Sequence, residues 1–593
     1  MRIETRQSVN RLGLDDDLLD RVFAARGITE PAQLERGLSN LLSPADLPEI
    51  DQAAKRLADA VVEDQKILIV GDFDADGATS VALCLLALRA MGARQVDFLV
   101  PNRFDYGYGL SPEIVQLAAA MEPRVIVTVD NGVASVDGVA LANELGIDVV
   151  VTDHHLPGDV LPNAFALVNP NVGGSSFGSK AMAGVGVAYY LLSWVRQALR
   201  QRQHFASRGI DEPNMAQYLD LVALGTVADV VPLDHNNRIL VHQGLLRIQR
   251  GMTRPGIAAL ARVGKRDLTT LSASDMGFAL GPRLNAAGRL QDMSVGIRCL
   301  VTDDPAEAAR LNAAGRLQDM SVGIRCLVTD DPAEAGQLAA ELDGLNQTRR
   351  EIEQGMVADA EMILTQITPD PDEMGIAVYH ESFHQGVVGI VAGRLREKFH
   401  RPAIVFADAS EGSDELKGSA RSIDGLNIRD LLDSIATKRP GMLLKFGGHA
   451  MAAGLSIKRV HLPRFQTAFD KAVRAAVTPD MLDAVLLTDG ELAKEALNLD
   501  TVAKLANAGP WGNGFAEPTF AGEFTLVNQR VVGQDHLKLV FALQDQLIDA
   551  IAFRQPPLDG QPQRVRVVYK PALNDYGGQQ TLQLMVEYIE AMS

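Results

Sequence analysis

"KILIVGDFDADGATS", residues 66–80, sets three aspartates at alternate positions, Asp72, Asp74 and Asp76, directly after an apolar run. Clustered carboxylates repel one another unless a cation or hydrogen bonds compensate. The spacing D-x-D-x-D-G opens a calcium-binding EF-hand loop, but that loop needs a glutamate at its twelfth position and a helix in front of it. Leu83 stands at position twelve, and "ILIV" is β-branched and reads as a buried strand. The stretch is therefore a strand, an acidic loop and a helix ("ATSVALCLLALRAMG"), with the carboxylates serving something other than an EF-hand.

The same alternation continues outward. "QVDFLV", "RVIVTV", "GIDVVVT" and "ALVNP" follow as short apolar runs between amphipathic stretches, which predicts a parallel α/β sheet. Ligands of such sheets bind outside the carboxyl ends of the strands. Those ends carry Asp72/Asp74/Asp76, then Asp130 in "VTVDNG", then Asp153-His154-His155 in "VVTDHHLPG". A helical segment, "MAQYLDLVALGTVADVVPL", brings Asp229. Residues 336–364 lack proline and repeat apolar positions at helical spacing, which predicts a long helix joining two halves. A second α/β unit follows ("GIAVYH", "RPAIVFA", "LKGSARS"), and from about 521 onward several short strands with turn residues between them predict a small β-barrel.

Composition narrows the class. A chain of 593 residues is too long for one ordinary core. Its 47% hydrophobic and 22% charged residues are those of a folded soluble protein, and a net charge of −19 argues against a broadly cationic nucleic-acid coat while leaving room for a local basic groove. Cys84, Cys299 and Cys326 form neither a CxxC nor a disulfide framework, which suits a reducing cytoplasm. No apolar segment suggests a signal peptide or membrane span.

"RLNAAGRLQDMSVGIRCLVTDDPAEA" occurs at 283–308 and again, letter for letter, at 310–335. Solenoid repeats diverge in sequence and need three or more copies to bury a core. Two identical copies read instead as a recent in-frame duplication or a sequence error, with no function of their own.

Asp74, Asp76, Asp130, His154 and Asp229 together make an oxygen-rich donor set with one imidazole, which suits Mn²⁺ or Mg²⁺ better than zinc. Two such ions bridged by one carboxylate would clamp an in-line phosphoryl displacement, with a water shared between them as nucleophile. Asp130, ending a central-looking strand, is the natural bridge. His155 would point away from His154 if the pair is extended and so serve the phosphate or the leaving group. Any one of these aspartates alone is more often a turn former or helix N-cap, and Asp72 keeps that reading.

"GDFDADG", "VTVDNG", "TDHH" and "GTVADVVPL", in this order, resemble the four motifs of the DHH phosphoesterase superfamily. "HQGVVGIVAGRL", "LKGSARS" and "KFGGHAMAAG" resemble its DHHA1 partner domain, and "PNRFDYGYGLSPE" with "GPRLNAAGRL" narrows the likeness to single-strand-specific 5′→3′ DNA exonucleases. The resemblance implies two α/β domains (DHH and DHHA1) joined by a long helix, plus a C-terminal OB-type β-barrel. It divides the chain into an N-terminal helical segment 1–50, a DHH domain 51–335, a linker helix 336–364, a DHHA1 domain 365–465, and connecting helices with the barrel at 466–593. It implies hydrolysis of single-stranded DNA to mononucleotides with two Mn²⁺ or Mg²⁺ ions, in recombination and repair. The same five metal ligands follow from it, with His155 beside the scissile phosphate. Arg103, Arg283, Ser419 and Arg421 would bind phosphate, and Asn285, Gly447, Gly448 and His449 would meet the nucleic acid. Lys538, Arg564, Arg566 and Lys570 on the barrel are candidate phosphate contacts, although a solvated strand face explains them equally. A single-strand-binding protein and a helicase are the implied partners, and a monomer the implied state.

Two other readings stand beside this one. A DHH phosphodiesterase for short oligonucleotides, or a pyrophosphatase, would lack the barrel. A non-catalytic single-stranded-DNA-binding scaffold would have lost ligands that this chain retains. Of the two copies of the repeat, Arg283 and Asn285 keep the upstream "FALGP" context and are favoured for the single site over Arg310 and Asn312.

Overall fold

The computed structural model describes residues 2–8, 10–100, 109–289, 321–364, 373–381, 383, 388–410, 412–448, 450–482, 485–533, 536–558, 563–576 and 579–592. These fall into two compact units, one of residues 1–5 with 348–488 and one of residues 6–347 with 489–593. The first strand, β1 (Arg2–Thr5), belongs to the former.

The unit that holds most of the chain is built on β2 (Ile67–Gly71), β3 (Val96–Leu99), β4 (Val125–Val129), β5 (Asp148–Thr152) and β6 (Ala166–Val168). All pair in parallel, in the order β3-β2-β4-β5-β6. Every residue of β2 and β4 is buried, which is why these strands read as unbroken apolar runs rather than alternating ones. The chain steps from β2 to β3 on one side and resumes at β4 on the other, so the strand order reverses between β2 and β4. That switch point is where a sheet of this class opens a crevice at its carboxyl ends, and Asp72 and Asp130 emerge there. The helix Ala75–Ala90 leaves the β2 loop and packs on the helices Gly184–Gln201 and Leu219–Ala228. It is buried nearly all round, as its lack of a polar face requires.

The other unit carries β7 (Ile376–Tyr379), β8 (Ala403–Asp408), β9 (Glu415–Arg421), β10 (Leu443–Gly448) and β11 (Ala452–Lys458), in the order β10-β11-β9-β8-β7. Only β7 and β8 pair in parallel. One core joins Ile404, Phe406 and Leu416 to Ile428 and Leu432 of one helix and Phe465 and Phe469 of another; a second joins Val405 to Val391 and Leu395. The helix Leu462–Ala476 is part of this core through Phe465 and Phe469. β12 (Val485–Thr488) pairs in parallel with β1, and this unit runs to residue 488. The long helix spans Pro332–Leu364, four residues longer at its start than its apolar pattern indicates, because Pro332 takes the first-turn position that proline favours.

The barrel is closed: β13 (Phe520–Val532), β14 (His536–Leu543), β15 (Gln546–Ala552), β16 (Arg564–Tyr576) and β17 (Gln579–Ala591) run β13-β14-β15-β17-β16, and β16 pairs back to β13. The parallel β15–β17 pair among otherwise antiparallel strands gives the OB topology. Phe520, Phe524, Phe541 and Tyr569 fill it. No helix among the described residues is long and apolar enough to cross a membrane.

Candidate metal centre

The acidic loop after β2 is built by Asp74, which caps the helix Ala75–Ala90 by accepting the Gly77 N–H at 3.0 Å. The cap therefore falls to Asp74, and Asp72, read from sequence as the supporting residue, lies among the carboxylates. A Cβ on Gly77 would meet the Asp72 carbonyl oxygen at 2.3 Å, so only glycine lets the loop fold back this tightly. Asp76 reaches across to the start of the helix Gly184–Gln201, where Oδ2 accepts the Gly184 N–H at 2.6 Å and Oδ1 the Val185 N–H at 3.0 Å.

Asp130 follows β4 in the left-handed region, at φ +61°. Few non-glycine residues take this conformation, and aspartate and asparagine do so most readily. Gly184 again permits the approach: a Cβ there would lie 2.7 Å from Asp130 Cβ. His154 Nε2 stands 3.0 Å from Asp130 Oδ1 and 3.5 Å from Asp229 Oδ2, where Asp229 closes the helix Leu219–Ala228.

Three overlapping groups of ligand atoms result, each within 4.8 Å: Asp72, Asp74 and Asp130; Asp76, His154 and Asp229; Asp130, His154 and His155. All five residues expected from sequence fall within these groups, and Asp130 and His154 each belong to two of them. The two histidines differ from expectation. They lie beyond the end of β5 rather than in extended strand, and their rings sit 4.4 Å apart instead of on opposite sides.

The electrostatics suit the binding of a cation. Burial, then the Asp74 charge, pushes Asp76 up to about 7. Burial, then Asp76, Asp74 and Asp72, pushes Asp229 up to about 9. Asp130 is raised well above the ordinary carboxylate value by burial and by Asp76, Asp74, Asp229 and Asp72. Burial and the neighbouring His155 lower His154 to about 4, which keeps its imidazole neutral and ligand-ready. The buried His154 Nε2 and Asp229 Oδ2 have no hydrogen bond. Oxygen donors with one neutral imidazole suit Mn²⁺ or Mg²⁺.

Sequence reasoning undervalued Asp153. Its Oδ1 takes the N–H groups of His154 and His155 at 2.7 and 3.0 Å and holds His155 Nδ1 at 2.7 Å, while Oδ2 takes the Val133 N–H at 2.8 Å. Burial alone would raise Asp153, but these bonds and the His155 charge hold it below the usual carboxylate range. Burial would likewise lower His155, and its bond to Asp153 holds it above its ordinary value instead. Asn169 and Asn171 donate to the carbonyls of His155 and His154 at 2.9 and 2.6 Å. The one signal in the sequence was the aspartate of "TDHH".

Among the remaining candidates, Asn285 Oδ1 accepts the Ala75 N–H at 2.7 Å, between Asp74 and Asp76. Arg283 pairs through Nε with Asp343 at 2.8 Å and gives Nη1 to the Ala279 carbonyl. In the second α/β unit, Arg421 Nη1 donates to Ser419 Oγ at 3.0 Å. Gly447 pairs with Gly454, which pairs with Ser419, so a row of bare backbone leads across β10 and β11 to Ser419. Gly448 follows with φ +141°. Arg103 and His449 lie outside the described residues. On the barrel, Lys538 pairs with Asp549, Arg564 with Glu523, and Lys570 with Glu517 and Glu587, so these three bases are balanced by neighbouring acids.

Three family descriptions match along the chain: the DHH family, N-terminal domain, at residues 66–226, the DHHA1 domain at 372–475, and the RecJ OB domain at 488–588. The single-stranded-DNA-specific exonuclease RecJ of Dickeya dadantii is 50% identical over 96% of each chain, and that of Escherichia coli is 48% identical over 96% of this chain and 95% of its own. The crystal structure of RecJ in complex with Mn²⁺ from Thermus thermophilus superposes with a TM-score of 0.75 at 28% identity, covering 97% of this chain and 76% of that one. The corresponding Mg²⁺ complex gives 0.69 at 26% identity, covering 97% and 75%. With motif order, fold and carboxylate cluster in agreement over nearly its whole length, the chain belongs to the RecJ family of single-stranded-DNA-specific exonucleases.

Proposed function

We propose that this protein is a metal-dependent exonuclease that degrades single-stranded DNA from its 5′ end to mononucleotides, in DNA recombination and repair. The observation that carries it is the carboxylate–histidine cluster at the β2/β4 switch point of a chain 50% identical to a single-stranded-DNA-specific exonuclease. Asp74, Asp76, Asp130, His154 and Asp229 would hold two Mn²⁺ or Mg²⁺ ions, with Asp72 within ligand reach. Ions bound there supply positive charge to the phosphodiester and lower the pKa of an attacking water. His155, oriented by Asp153, faces the scissile phosphate and carries a proton for the leaving oxygen. Ser419 and Arg421 bind phosphate of the strand, the guanidinium supplying forked, charge-assisted bonds, and Arg103 is a further phosphate-binding residue. Arg283 takes part by exchanging Asp343 for phosphate. Gly447 and Gly448 give the strand a side-chain-free backbone to approach, and His449 adds an imidazole. The barrel grips the strand beyond the site. The protein works in the cytoplasm as a monomer, beside a single-strand-binding protein and a helicase that supplies single strands.

Digestion of 5′-labelled single- and double-stranded DNA with Mn²⁺, Mg²⁺ or EDTA tests this reading. Mononucleotide release from single strands alone, abolished by EDTA, is expected. Equal digestion of duplex DNA, or activity that survives EDTA, overturns it.

A further inference from the structure

The described residues hold different parts of the two copies of the 26-letter repeat. From the first copy the described residues include its head, within the helix Gly281–Arg289. From the second they include its tail, the helix Ser321–Val328 and the turn into Pro332–Leu364. Head and tail pack on each other and on the same helix, Ala75–Ala90. Leu284 and Ala286 of the head are fully buried, as are Cys326 and Leu327 of the tail. The tail helix lies directly on Gly256, where a Cβ would meet the Cys326 carbonyl oxygen at 1.7 Å. Its end is capped by the Arg254 guanidinium, which donates to the carbonyls of Leu327 and Thr329 at 3.2 and 3.1 Å and pairs with Asp330 at 2.8 Å.

Because the copies are identical, local contacts cannot decide which copy fills which place. Three registers that keep the head before the tail in the chain satisfy the same contacts: both from the first copy, both from the second, or the head from the first and the tail from the second. Continuity of the flanking helices separates them. The first head runs on unbroken from the turn Met276–Leu280, and a second-copy head would sever it from that turn. The second tail runs through Thr329–Asp331 into the long helix, and a first-copy tail would be cut from it by a whole repeat. Only the mixed register keeps both junctions. Its cost is a longer connection, which grows only logarithmically with length.

We infer that the two copies supply complementary halves of one unit, with Asn285 of the first copy as the working asparagine that positions the metal loop, and that the surplus repeat between Arg289 and Ser321 is dispensable. Excising residues 290–316 leaves "RLNAAGR" joined to "LQDMSVGIRCLVTDDPAEA", a single uninterrupted copy. Asn285 acts through Ala75, whose N–H it holds between Asp74 and Asp76; it is a positioning residue, and its twin Asn312 is not.

Three measurements on the full chain test this. The excision variant should match the parent within about twofold in strand cleavage and in Mn²⁺ affinity, read without DNA from the electron paramagnetic resonance of free Mn²⁺. Asn285→Ala should weaken Mn²⁺ binding about tenfold or more and Asn285→Asp restore it, while Asn312→Ala changes nothing. Ile324→Ala should lower Tm by about 4–10 °C, and Ile297→Ala by less than about 1 °C. An inactive or unfolded excision variant overturns the inference. So does sensitivity at Asn312 or Ile297, including equal sensitivity at both twins, which would mean that the registers interchange.

Discussion

Asp153 holds the His155 ring at 2.7 Å through Oδ1, and its other oxygen is anchored on the Val133 N–H at 2.8 Å. The exposed imidazole is thus tied through a buried carboxylate to the loop that follows β4, the strand that presents Asp130. Asp153→Asn turns an amide N–H₂ toward donors and cannot satisfy all of them. It should lower kcat about 10–100-fold with KM for single-stranded DNA changed by less than about threefold. A proportional rise in KM would place Asp153 in strand binding instead.

Asp130 faces four other carboxylates while adopting a left-handed backbone that asparagine tolerates. Asp130→Asn should abolish cleavage and yet raise the Tm of metal-free protein, by removing the cost, about 1 kcal/mol or more, that burial and then the neighbouring carboxylates impose on the Asp130 carboxyl. Calorimetry in EDTA checks the sign. A lower Tm would mean that the Asp130 charge stabilises the empty site.

Stability should depend on pH in a sense set by the raised carboxylates. Asp76 and Asp229 bind protons in the folded state up to about 7 and about 9, but unfolded only to about 4. Their contribution to stability is fully present below pH about 4 and is lost as pH rises through these higher values. Metal-free protein should therefore melt lower at pH 8 than at pH 6. Mn²⁺, which takes the place of the protons, should raise Tm more at pH 8 than at pH 6. A metal-induced shift independent of pH would exclude these groups as ligands.

Gly184 gives its N–H to Asp76 and lies against Asp130. Gly184→Ala puts a methyl 2.7 Å from Asp130 Cβ and 2.9 Å from its Cα, so backbone must move. A shift of this kind at a reacting centre costs on the order of 100-fold in rate. Activity should fall by that order with the circular dichroism spectrum unchanged, whereas wild-type activity would show that the two loops yield freely.

Asp489 ties the N-terminal helix Asp17–Ala24 to the start of the barrel region. It accepts Arg26 Nη1 and Nη2 at 2.7 and 3.0 Å, and the Arg26 side chain is only 2% exposed. Asp489→Ala strands that guanidinium and should destabilise by about 3–5 kcal/mol. The surface pair Lys494–Asp545, with Asp545 83% exposed, should lose less than about 1 kcal/mol on Lys494→Ala. Urea melts of the two variants compare them directly, and equal losses would contradict the burial argument.

The strands and the helices between them could be read from the sequence, because a buried parallel strand needs an unbroken apolar run, and the candidate ligands Asp74, Asp76, Asp130, His154 and Asp229 were named from it and lie together in the fold. The barrel was legible strand by strand for a different reason, the alternation of buried and partly exposed residues between turn signals. Local pattern does not carry the distances between segments far apart in the chain, and everything that depended on such distances was decided by the fold. Asp74 rather than Asp72 took the helix cap, because Gly77 brings the loop back onto itself. Asp153 became the support of His155 only when β5 delivered it beside Val133. Lys538, Arg564 and Lys570 were neutralised by acids across the barrel strands. The repeat is the extreme case: two identical strings carry identical local preferences, so only the helices that flank them in three dimensions could assign each half its place.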